Sequence, residues 1–272
     1  MPFSLAAIAD EISPDLDEAL GHMVGEGVTA AEIRSIAKKN VVHLDDGEVR
    51  QAVATLRARG CRVSGIASPI GKSPLADARS FEEESLRRAL AVAAAFGTDR
   101  IRIFSYYPAK DTPPERLPSF GPEVLERLAR LTEMAGAAGV TLLLENEVDL
   151  WGDIPERCRF LLAGIASPHL RMAWDPANFY RSGITAPFGQ GWALCGEYVS
   201  CAHVKDCDAQ RRHCPAGEGV GQWPELLEAL GTAGGVPLVL EPHMQHAGRD
   251  GGFSGPEAFR RALAGIRRLL PA

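Results

Sequence analysis

Four short apolar stretches of the chain each end in a side chain that can bind a metal ion. They are VTLLLENE with Glu145, LRMAWDPAN with Asp175, VSCAHVKD with His203 and VPLVLEPH with Glu241. A short β-rich run bounded by turn residues is typical of a strand buried on both faces. α/β folds place their chemistry at the carboxyl ends of such strands. Three carboxylates and one imidazole suit one divalent ion among Mn, Mg, Co and Zn, and we favour Mn.

The spacing of these four residues predicts that they share one site. They lie 30, 28 and 38 positions apart, close to the 34 residues that each unit would have if the 272 residues formed eight equal units. Residues at matching positions of successive strand–helix units end at the same level of a barrel. A single polar residue at a strand end usually has no role in a functional site. Four such residues at matched spacing favour a common site.

Apolar runs and helix-period segments alternate along the whole chain and predict eight strand–helix units. We expect helices over about 13–24, 46–59, 81–96, 122–138, 155–163, 223–230 and 256–270, and one short helix before Gly196 after an irregular stretch at 178–192. Eight right-handed units close into a barrel, and no GxGxxG fingerprint indicates a dinucleotide fold. The predicted fold is one α/β domain over residues 1–272, a single (β/α)8 TIM barrel whose active site lies on the C-terminal face.

Composition and charge disfavour several classes of partner. The chain is 46% hydrophobic and 24% charged, so it can bury a large core. Its net charge is −6 and it has no basic stripe, so no nucleic acid partner is expected. The start of the chain lacks the basic region of a signal peptide, and no apolar run reaches membrane-spanning length. We expect a cytoplasmic protein with six reduced cysteines and no membrane partner; barrels of this size often form homo-oligomers.

The predicted ligand set indicates chemistry on a small hydroxy-ketone or hydroxy-aldehyde. A divalent ion can bind two neighbouring substrate oxygens and stabilise the enediolate that forms when the adjacent C–H proton leaves. Glu145 and Glu241, from the fifth and eighth strands, would flank that substrate. Two carboxylates on opposite faces suit an isomerisation or epimerisation, because one removes a proton and the other returns it.

An ordered set of motifs resembles the sugar phosphate isomerase/epimerase family, whose fold is the xylose-isomerase-like barrel. The motifs are IADEIS, AEIR, SPIGK, FSYY, LLLEN, WDPAN, HVKD and GEG, and they run through essentially the whole chain. The resemblance implies a divalent metal held by Glu145, Asp175, His203 and Glu241, with the two glutamates also serving as acid and base. It implies a carbohydrate substrate and, as relatives, hydroxypyruvate isomerases, ketose 3-epimerases and keto-inositol dehydratases.

The chain departs from the pattern of ketose 3-epimerases at one position. Those enzymes carry a His three residues after the sixth-strand Asp, and this chain has Asn178, which can hydrogen-bond a hydroxyl but cannot titrate. A keto-inositol-type dehydratase and a barrel that binds a sugar without turnover are therefore retained as alternatives. The related trinuclear-zinc endonucleases need further His ligands where this chain offers Glu32, Ser68 and Ser105, so a nuclease is disfavoured.

Several further residues are candidates for substrate binding. Lys205 lies two positions after His203 and therefore on the same side of an extended strand, where it could bind a substrate oxygen or pair with an acid. Lys72, in the SPIGK loop, could reach an anionic group, although a solvated lysine is the more common case. The Gly217–Gly219 turn could present backbone N–H groups to a phosphate or simply form a turn.

Arg102, Glu32 and His243 complete the candidate set. Arg102 near the end of the fourth strand either points into the barrel mouth or pairs with Glu32. His243 shares the strand-face parity of Glu241, but we interpret it as a substrate-contact or surface residue ahead of a metal ligand. Asn178 and Glu32 are expected to contact substrate.

Overall fold

Eight parallel strands form a closed barrel in the computed structural model, which describes residues 3–248 and 251–271. In chain order the strands are β1 Ser4–Ile8, β2 Ala30–Ile33, β3 Arg62–Ala67, β4 Arg100–Ile103, β5 Thr141–Glu145, β6 Leu170–Trp174, β7 Val199–Val204 and β8 Pro237–Leu240. Each strand pairs with the next along the chain, and β8 pairs with β1 to close the ring. The predicted (β/α)8 TIM barrel is confirmed.

Helices follow the strands on the outside of the barrel. They are α1 Leu16–Gly25, α2 Asp46–Ala58, α3 Arg79–Phe96, α4 Gly121–Ala137, α5 Pro155–Ile165, α6 Pro176–Arg181, α7 Pro187–Cys195, α8 Trp223–Thr232 and α9 Gly255–Leu269. Asp45 and Glu48 form a reciprocal capping box at the start of α2, and Gly97 ends α3 in the left-handed conformation with φ 70°. The predicted helix bounds agree with these to within a few residues.

The stretch at 178–192, expected to be irregular, is largely helical. Asp175 accepts a hydrogen bond from the backbone N–H of Asn178 and so caps α6, and Pro176 begins that helix. Pro187 begins α7 in the same way, because a proline at the first helical position loses no hydrogen bond. The expected short helix before Gly196 is confirmed as α7, whereas α6 was not predicted because six residues are too few to show a helical period.

The interior of the barrel contains two layers with opposite chemistry. The layer nearer the amino ends of the strands is apolar and its members are buried in one cluster: Ala6, Ile8, Ala30, Leu143, Ala173, Cys201 and Val239. Successive side chains of a strand point to opposite faces, so the residue two positions later also points inward. Those next positions carry Glu145, Asp175, His203 and Glu241, which are all buried.

Short hairpins extend the chain beyond the carboxyl ends of three strands. Ser35–Ile36 pairs with Lys39–Asn40 after β2, Asp206–Cys207 with His213–Cys214 after β7, and His246–Gly248 with Gly251–Phe253 after β8. The first of these hairpins contributes Ser35 and Asn40 to the lining of a cavity at the barrel mouth. None of the helices in the described part of the chain combines the length and apolar character needed to cross a membrane.

Candidate active site

The four residues predicted as metal ligands converge at the carboxyl ends of neighbouring strands. Glu145 ends β5, Asp175 directly follows β6, His203 lies in β7 and Glu241 directly follows β8. Each of the four offers one ligand atom, and these atoms lie within 4.8 Å of one another in a fully buried cluster. The structure thus brings together residues that are separated by up to 96 positions in the chain, counting from Glu145 to Glu241.

His203 lies between the two glutamates. Its Nδ1 is 3.2 Å from Oε1 of Glu145 and 3.1 Å from Oε2 of Glu241. Burial lowers the pKa of this imidazole, but the charge of Glu145 and hydrogen bonds to both carboxylates outweigh burial and raise the pKa well above its ordinary value. One ring nitrogen therefore faces both candidate acid/base groups.

Lys205 reaches the same cluster from the residue after β7. Its Nζ lies 2.7 Å from Oδ2 of Asp175, 2.9 Å from Oε2 of Glu241 and 4.0 Å from Oε1 of Glu145. Burial raises the pKa of Asp175 to about 7, although the ammonium of Lys205 acts in the opposite direction. Of the two alternatives for Lys205, pairing with acids is the one that the structure contains, and its ammonium also lines the cavity described below.

Glu145 is held in place by two donors. Arg102 donates from Nη1 to Oε2 of Glu145 at 2.8 Å, and Asn178 donates from Nδ2 to Oε1 at 3.2 Å. Burial would raise the pKa of Glu145, but His203 and Arg102 outweigh it and lower the pKa to about 2. Arg102 thus bonds with Glu145 rather than with Glu32, and Asn178 orients a carboxylate where 3-epimerases have a histidine.

The cluster fits a divalent metal ion in both geometry and chemistry. For metal–oxygen bonds of about 2.1–2.4 Å, ligands on opposite sides of an ion lie about 4.2–4.8 Å apart, which matches the spread of the four ligand atoms. Oδ2 of Asp175 is buried and accepts no hydrogen bond within the described chain. It forms an ion pair with the ammonium of Lys205 at 2.7 Å. Three carboxylates and one imidazole are a common donor set for Mg, Mn and Zn.

Glu32 lies behind His203 and is separate from the ligand cluster. Its Oε1 is 3.9 Å from Nε2 of His203, and within the described residues neither atom has a hydrogen-bond partner. Gly65 on the neighbouring strand β3 leaves space for this carboxylate, since a Cβ there would lie 3.4 Å from Oε2 of Glu32. The carboxylate is thus placed to orient the imidazole from the side opposite the cluster.

A second buried network supports Glu241 from the side of β1. Arg34 donates to Oε1 of Glu241 at 3.3 Å, to Oε1 of Glu11 at 3.4 Å and, through Nε, to Asp10 at 3.0 Å. His243 places Nε2 at 3.2 Å from Glu11 and at 3.6 Å from Glu241. The sequence analysis did not single out Glu11, although a carboxylate in the IADEIS motif just after β1 repeats the pattern of the other strand ends.

An open cavity of about 360 Å³ leads from the barrel mouth to this cluster. The residues that line it are Arg34, Ser35, Lys38, Asn40, His43, Pro69, Lys72, Arg102, Phe104, Glu147, Asn178, Arg181, Lys205, Glu241 and His243. Lys72, considered above as a solvated side chain, pairs with Glu147 at 2.8 Å and lies over the ring of Phe104. Of the predicted substrate contacts, Lys205, Asn178, Arg102, Lys72 and His243 line the cavity, whereas Glu32 is not among the described residues that outline it.

The glycine turn after β7 already has an internal ligand. The backbone N–H groups of Gly217, Gly219 and Gly221 donate to the carboxylate of Asp206 at 3.0, 3.2 and 2.9 Å. A Cβ at Gly219 would lie 2.3 Å from a backbone oxygen of Cys207, so the turn requires glycine at that position. Of the two roles considered for Gly217–Gly219, the structure contains the turn and not a free phosphate-binding loop.

The fold and the cluster define a class of protein, a parallel (β/α)8 barrel with a buried carboxylate–imidazole group that could bind a metal at the carboxyl ends of its strands. The chain belongs to the xylose isomerase-like TIM barrel family, whose model matches residues 26–269. This agrees with the resemblance drawn from the sequence motifs. Among curated proteins, none matches the sequence significantly.

Solved structures share the fold at low sequence identity. A 3-keto-D-glucoside 4-epimerase from E. coli is 17% identical, with 98% of this chain and 99% of that chain covered and a TM-score of 0.70. A probable 3-DHS dehydratase from Bacillus anthracis is 17% identical, with coverage of 89% and 92% and a TM-score of 0.68. A xylose isomerase-like barrel from Mycobacterium smegmatis in complex with magnesium is 16% identical, with coverage of 99% and 98% and a TM-score of 0.69.

Proposed function

We propose that this chain is a divalent-metal-dependent isomerase or epimerase of a small sugar, sugar phosphate or related hydroxy-ketone. The observation that carries the proposal is the placement of two buried carboxylates, Glu145 and Glu241, on either side of His203 Nδ1 beneath an open cavity. The epimerase among the structural neighbours supports the same class of reaction. A site that merely bound a sugar would gain nothing from two such charged, buried groups, because each costs free energy of desolvation.

Glu145, Asp175, His203 and Glu241 would hold the ion, with Mn or Mg as the ions of choice for a donor set dominated by carboxylates. When bound, the ion supplies Lewis-acid stabilisation of the negative charge that develops on the substrate oxygens. The carboxylate of Glu32, 3.9 Å from Nε2 of His203, would favour a proton on Nε2 by its charge and so leave Nδ1 free to bind the ion. The magnesium complex among the neighbours supports an ion of this kind.

The two glutamates would move the proton. Arg102 pairs with Glu145 and Lys205 pairs with Glu241, and each cation favours the ionised form of its carboxylate against the effect of burial. An ionised carboxylate can take the proton from the carbon next to the substrate carbonyl. In an isomerisation the same glutamate returns that proton to the neighbouring carbon, and the hydroxyl proton passes to the former carbonyl oxygen. In an epimerisation the other glutamate takes up a proton from solvent and delivers it to the opposite face of the carbon, while the first glutamate releases its proton to solvent.

The surrounding residues divide into two groups. Lys205 and His243 line the cavity beside Glu241, and we assign to them contacts with substrate oxygens. Arg102 and Asn178 donate hydrogen bonds to Glu145, so we assign to them the orientation of that carboxylate. Both residues also line the cavity. Lys72 also lines the cavity, where it pairs with Glu147.

A dehydratase on the same site is the second candidate, supported by the dehydratase among the structural neighbours. The first step would be identical, with Glu145 or Glu241 removing a proton next to a carbonyl. The electron pair left on carbon would then form a carbon–carbon double bond as the β-hydroxyl leaves, and the proton held by the glutamate would pass to that hydroxyl so that it departs as water. The products differ in mass by one water and in the absorbance of the unsaturated ketone.

Proton exchange in D2O followed by NMR tests the proposal. Protein loaded with Mn or Mg is offered hydroxypyruvate, ketohexoses, pentose phosphates and an inosose, and deuterium is expected next to the carbonyl of at least one of them. Glu145→Gln and Glu241→Gln are expected to lower the exchange rate by about 10²–10⁴-fold, because each removes an acid/base group. Glu84→Gln, a carboxylate with 78% of its side chain exposed, is the matched control. Full exchange in both active-site variants would contradict the proposal.

A further inference from the structure

We propose that the substrate carries an anionic group, a carboxylate or a phosphoryl group, which Lys38 and Arg181 bind at the outer end of the cavity. The proposal rests on the function proposed above for the reaction at the inner end. It is carried by a contrast among the cations that line this one cavity: the inner ones have carboxylate partners, and the two outer ones have none among the residues that the structure describes.

The cations of the inner wall are already neutralised by the protein. Arg34 pairs with Asp10, Glu11 and Glu241, and Arg102 pairs with Glu145. Lys205 and Lys72 likewise pair with carboxylates. The neighbouring carboxylate cancels much of the attraction that such a cation would exert on an anionic ligand. These residues therefore orient the polar layer more than they attract an anion.

Lys38 and Arg181 differ from the inner cations in this respect. Neither comes within ion-pair distance of a carboxylate in the ranges 3–248 and 251–271, yet both line the cavity. The chain as a whole has a net charge of −6, whereas these two positive charges without an ion-pair partner in the described ranges lie at a cavity that leads to the buried cluster. Such charges attract anions from solution and raise their local concentration at the mouth of a cleft.

The two side chains come from opposite sides of the barrel. Lys38 lies in the hairpin of Ser35–Ile36 with Lys39–Asn40 after β2, and Arg181 ends α6 after β6. Because β2 and β6 are four strands apart in a ring of eight, their loops face each other across the mouth. A ligand whose reacting end reaches the ligand cluster therefore has a cation on either side of its outer end.

The backbone around Lys38 is fixed in an uncommon conformation. Ala37 and Lys38 both have positive φ angles, 51° and 64°, in the two-residue turn where Gly or Asn is usually found. Ala37 N–H donates to the carbonyl of Pro14 at 2.8 Å, and Lys39 pairs with Glu48 at 2.6 Å outside the cavity. The next residue, Lys39, is thus anchored outward while Lys38 lines the cavity, which gives the test a control from the same turn.

The size of the cavity limits the ligand to a small molecule. A volume of about 360 Å³ lies near the lower end of the range of small-molecule pockets. It suits a single sugar unit with one charged substituent, and the ammonium of Lys38 and the guanidinium of Arg181 can each bind carboxylate or phosphoryl oxygens. Phosphate and carboxylate therefore form the two arms of the test.

The test measures binding and exchange with three matched probes, D-fructose, D-fructose 6-phosphate and D-fructuronate. The Mn-loaded wild-type protein is expected to bind the two charged probes about tenfold or more tightly than fructose in calorimetry, and to lose this preference in Lys38→Met/Arg181→Met. Lys39→Met and Arg171→Met, which remove the same charges away from the cavity, are expected to keep it. A stronger preference for one charged probe identifies the anionic group as phosphoryl or carboxylate.

The outcomes separate this proposal from the proposed function. Equal affinity for fructose and both charged probes, no binding of either charged probe, or an undiminished preference in the double variant would overturn the anionic substrate. Preference for a charged probe without deuterium exchange on any carbohydrate would instead sustain the anion site and count against the isomerase. Exchange on fructose alone would sustain the isomerase and overturn the anion site.

Discussion

The inward-facing side chains of the barrel change character within two residues along the same strands. Leu143 belongs to the apolar layer and Glu145 to the polar layer of β5, and the same step separates Cys201 from His203 in β7. Both layers are buried to a similar degree, with Leu143 2% exposed and Glu145 1% exposed. Burial alone therefore does not distinguish the layers; the difference lies in what each gains from burial.

Burial of the apolar layer stabilises the folded protein, whereas burial of the charged groups in the polar layer destabilises it. Removing apolar surface from water contributes about 25 cal/mol per Å², but a buried charge loses hydration that its partners only partly replace. The raised pKa of Asp175, about 7 because of burial, shows the cost for one carboxylate. The lower part of the barrel thus stabilises the fold, and the upper part uses some of that stability to hold charged groups together.

The largest expected effect on the fold concerns the apolar layer. Leu143→Ala is expected to lower the free energy of unfolding by about 2–5 kcal/mol, because it removes a fully packed side chain and leaves a cavity. Chemical denaturation measures the loss, and the exchange assay on the folded protein is expected to change much less. If Leu143→Ala keeps the wild-type free energy of unfolding but loses deuterium exchange, Leu143 belongs to the functional layer and the distinction between the two layers is wrong.

The next effect concerns metal binding by the polar layer. Asp175→Asn is expected to weaken Mn²⁺ binding by at least about 100-fold, because it removes a proposed metal ligand. Loss of a residue that only hydrogen-bonds a ligand already lowers metal affinity by about 10–100-fold. Without metal the same variant is expected to be less stable than the wild type at pH 8, because it removes one partner of the buried pair between Asp175 and Lys205 and leaves the ammonium less well compensated.

Calorimetric titration with Mn²⁺ and melting curves in chelator measure the two sides of this prediction. Asp46→Asn, whose side chain is 76% exposed on α2, is the control for an unrelated loss of charge. Unchanged Mn²⁺ affinity in Asp175→Asn would remove Asp175 from the ligand set.

The smallest effect is a pH dependence from the network beside β1. Burial raises the pKa of Glu11 from 4.5 to about 7, against the opposing effect of Arg34. Between these values the folded protein binds more protons than the unfolded chain, so stability falls as pH rises from about 4.5 to 7. In Glu11→Gln this decline should be smaller by about 2–3 kcal/mol, as measured by denaturation at pH 5 and pH 8 in chelator. An unchanged decline would mean that Glu11 is ionised throughout.

The sequence predicted the fold and the ligand cluster because both depend on local patterns. Apolar runs that alternate with helix-period segments define eight units, and period-two alternation in a strand places Glu145 and His203 on the inward face. The alternating pattern also correctly placed Lys205 on the side of His203. These features need only the residues of one strand and the rule that strand ends meet at one face of a barrel.

Other features depend on contacts between distant parts of the chain. Glu11 receives a hydrogen bond from the backbone N–H of His243, 232 positions away, and no local pattern indicates that pair. The carboxylate of Asp206 accepts hydrogen bonds from the backbone N–H groups of the glycine turn. A sequence motif alone cannot distinguish such a turn from one that binds phosphate. The choice of Arg102 between Glu145 and Glu32 likewise depends on side-chain geometry across strands.

The ammonium of Lys205 has a consequence for the charge of the cluster before any ion binds. It lies 2.7 Å from Asp175 and 2.9 Å from Glu241, so the chain brings its own positive charge among the carboxylates. This charge offsets part of the repulsion between the buried carboxylates, a task that only the ion can perform in small domains that remain unfolded until metal binds. We therefore expect the barrel to fold in the presence of chelator, so that an ion, if one is bound, can enter a finished site.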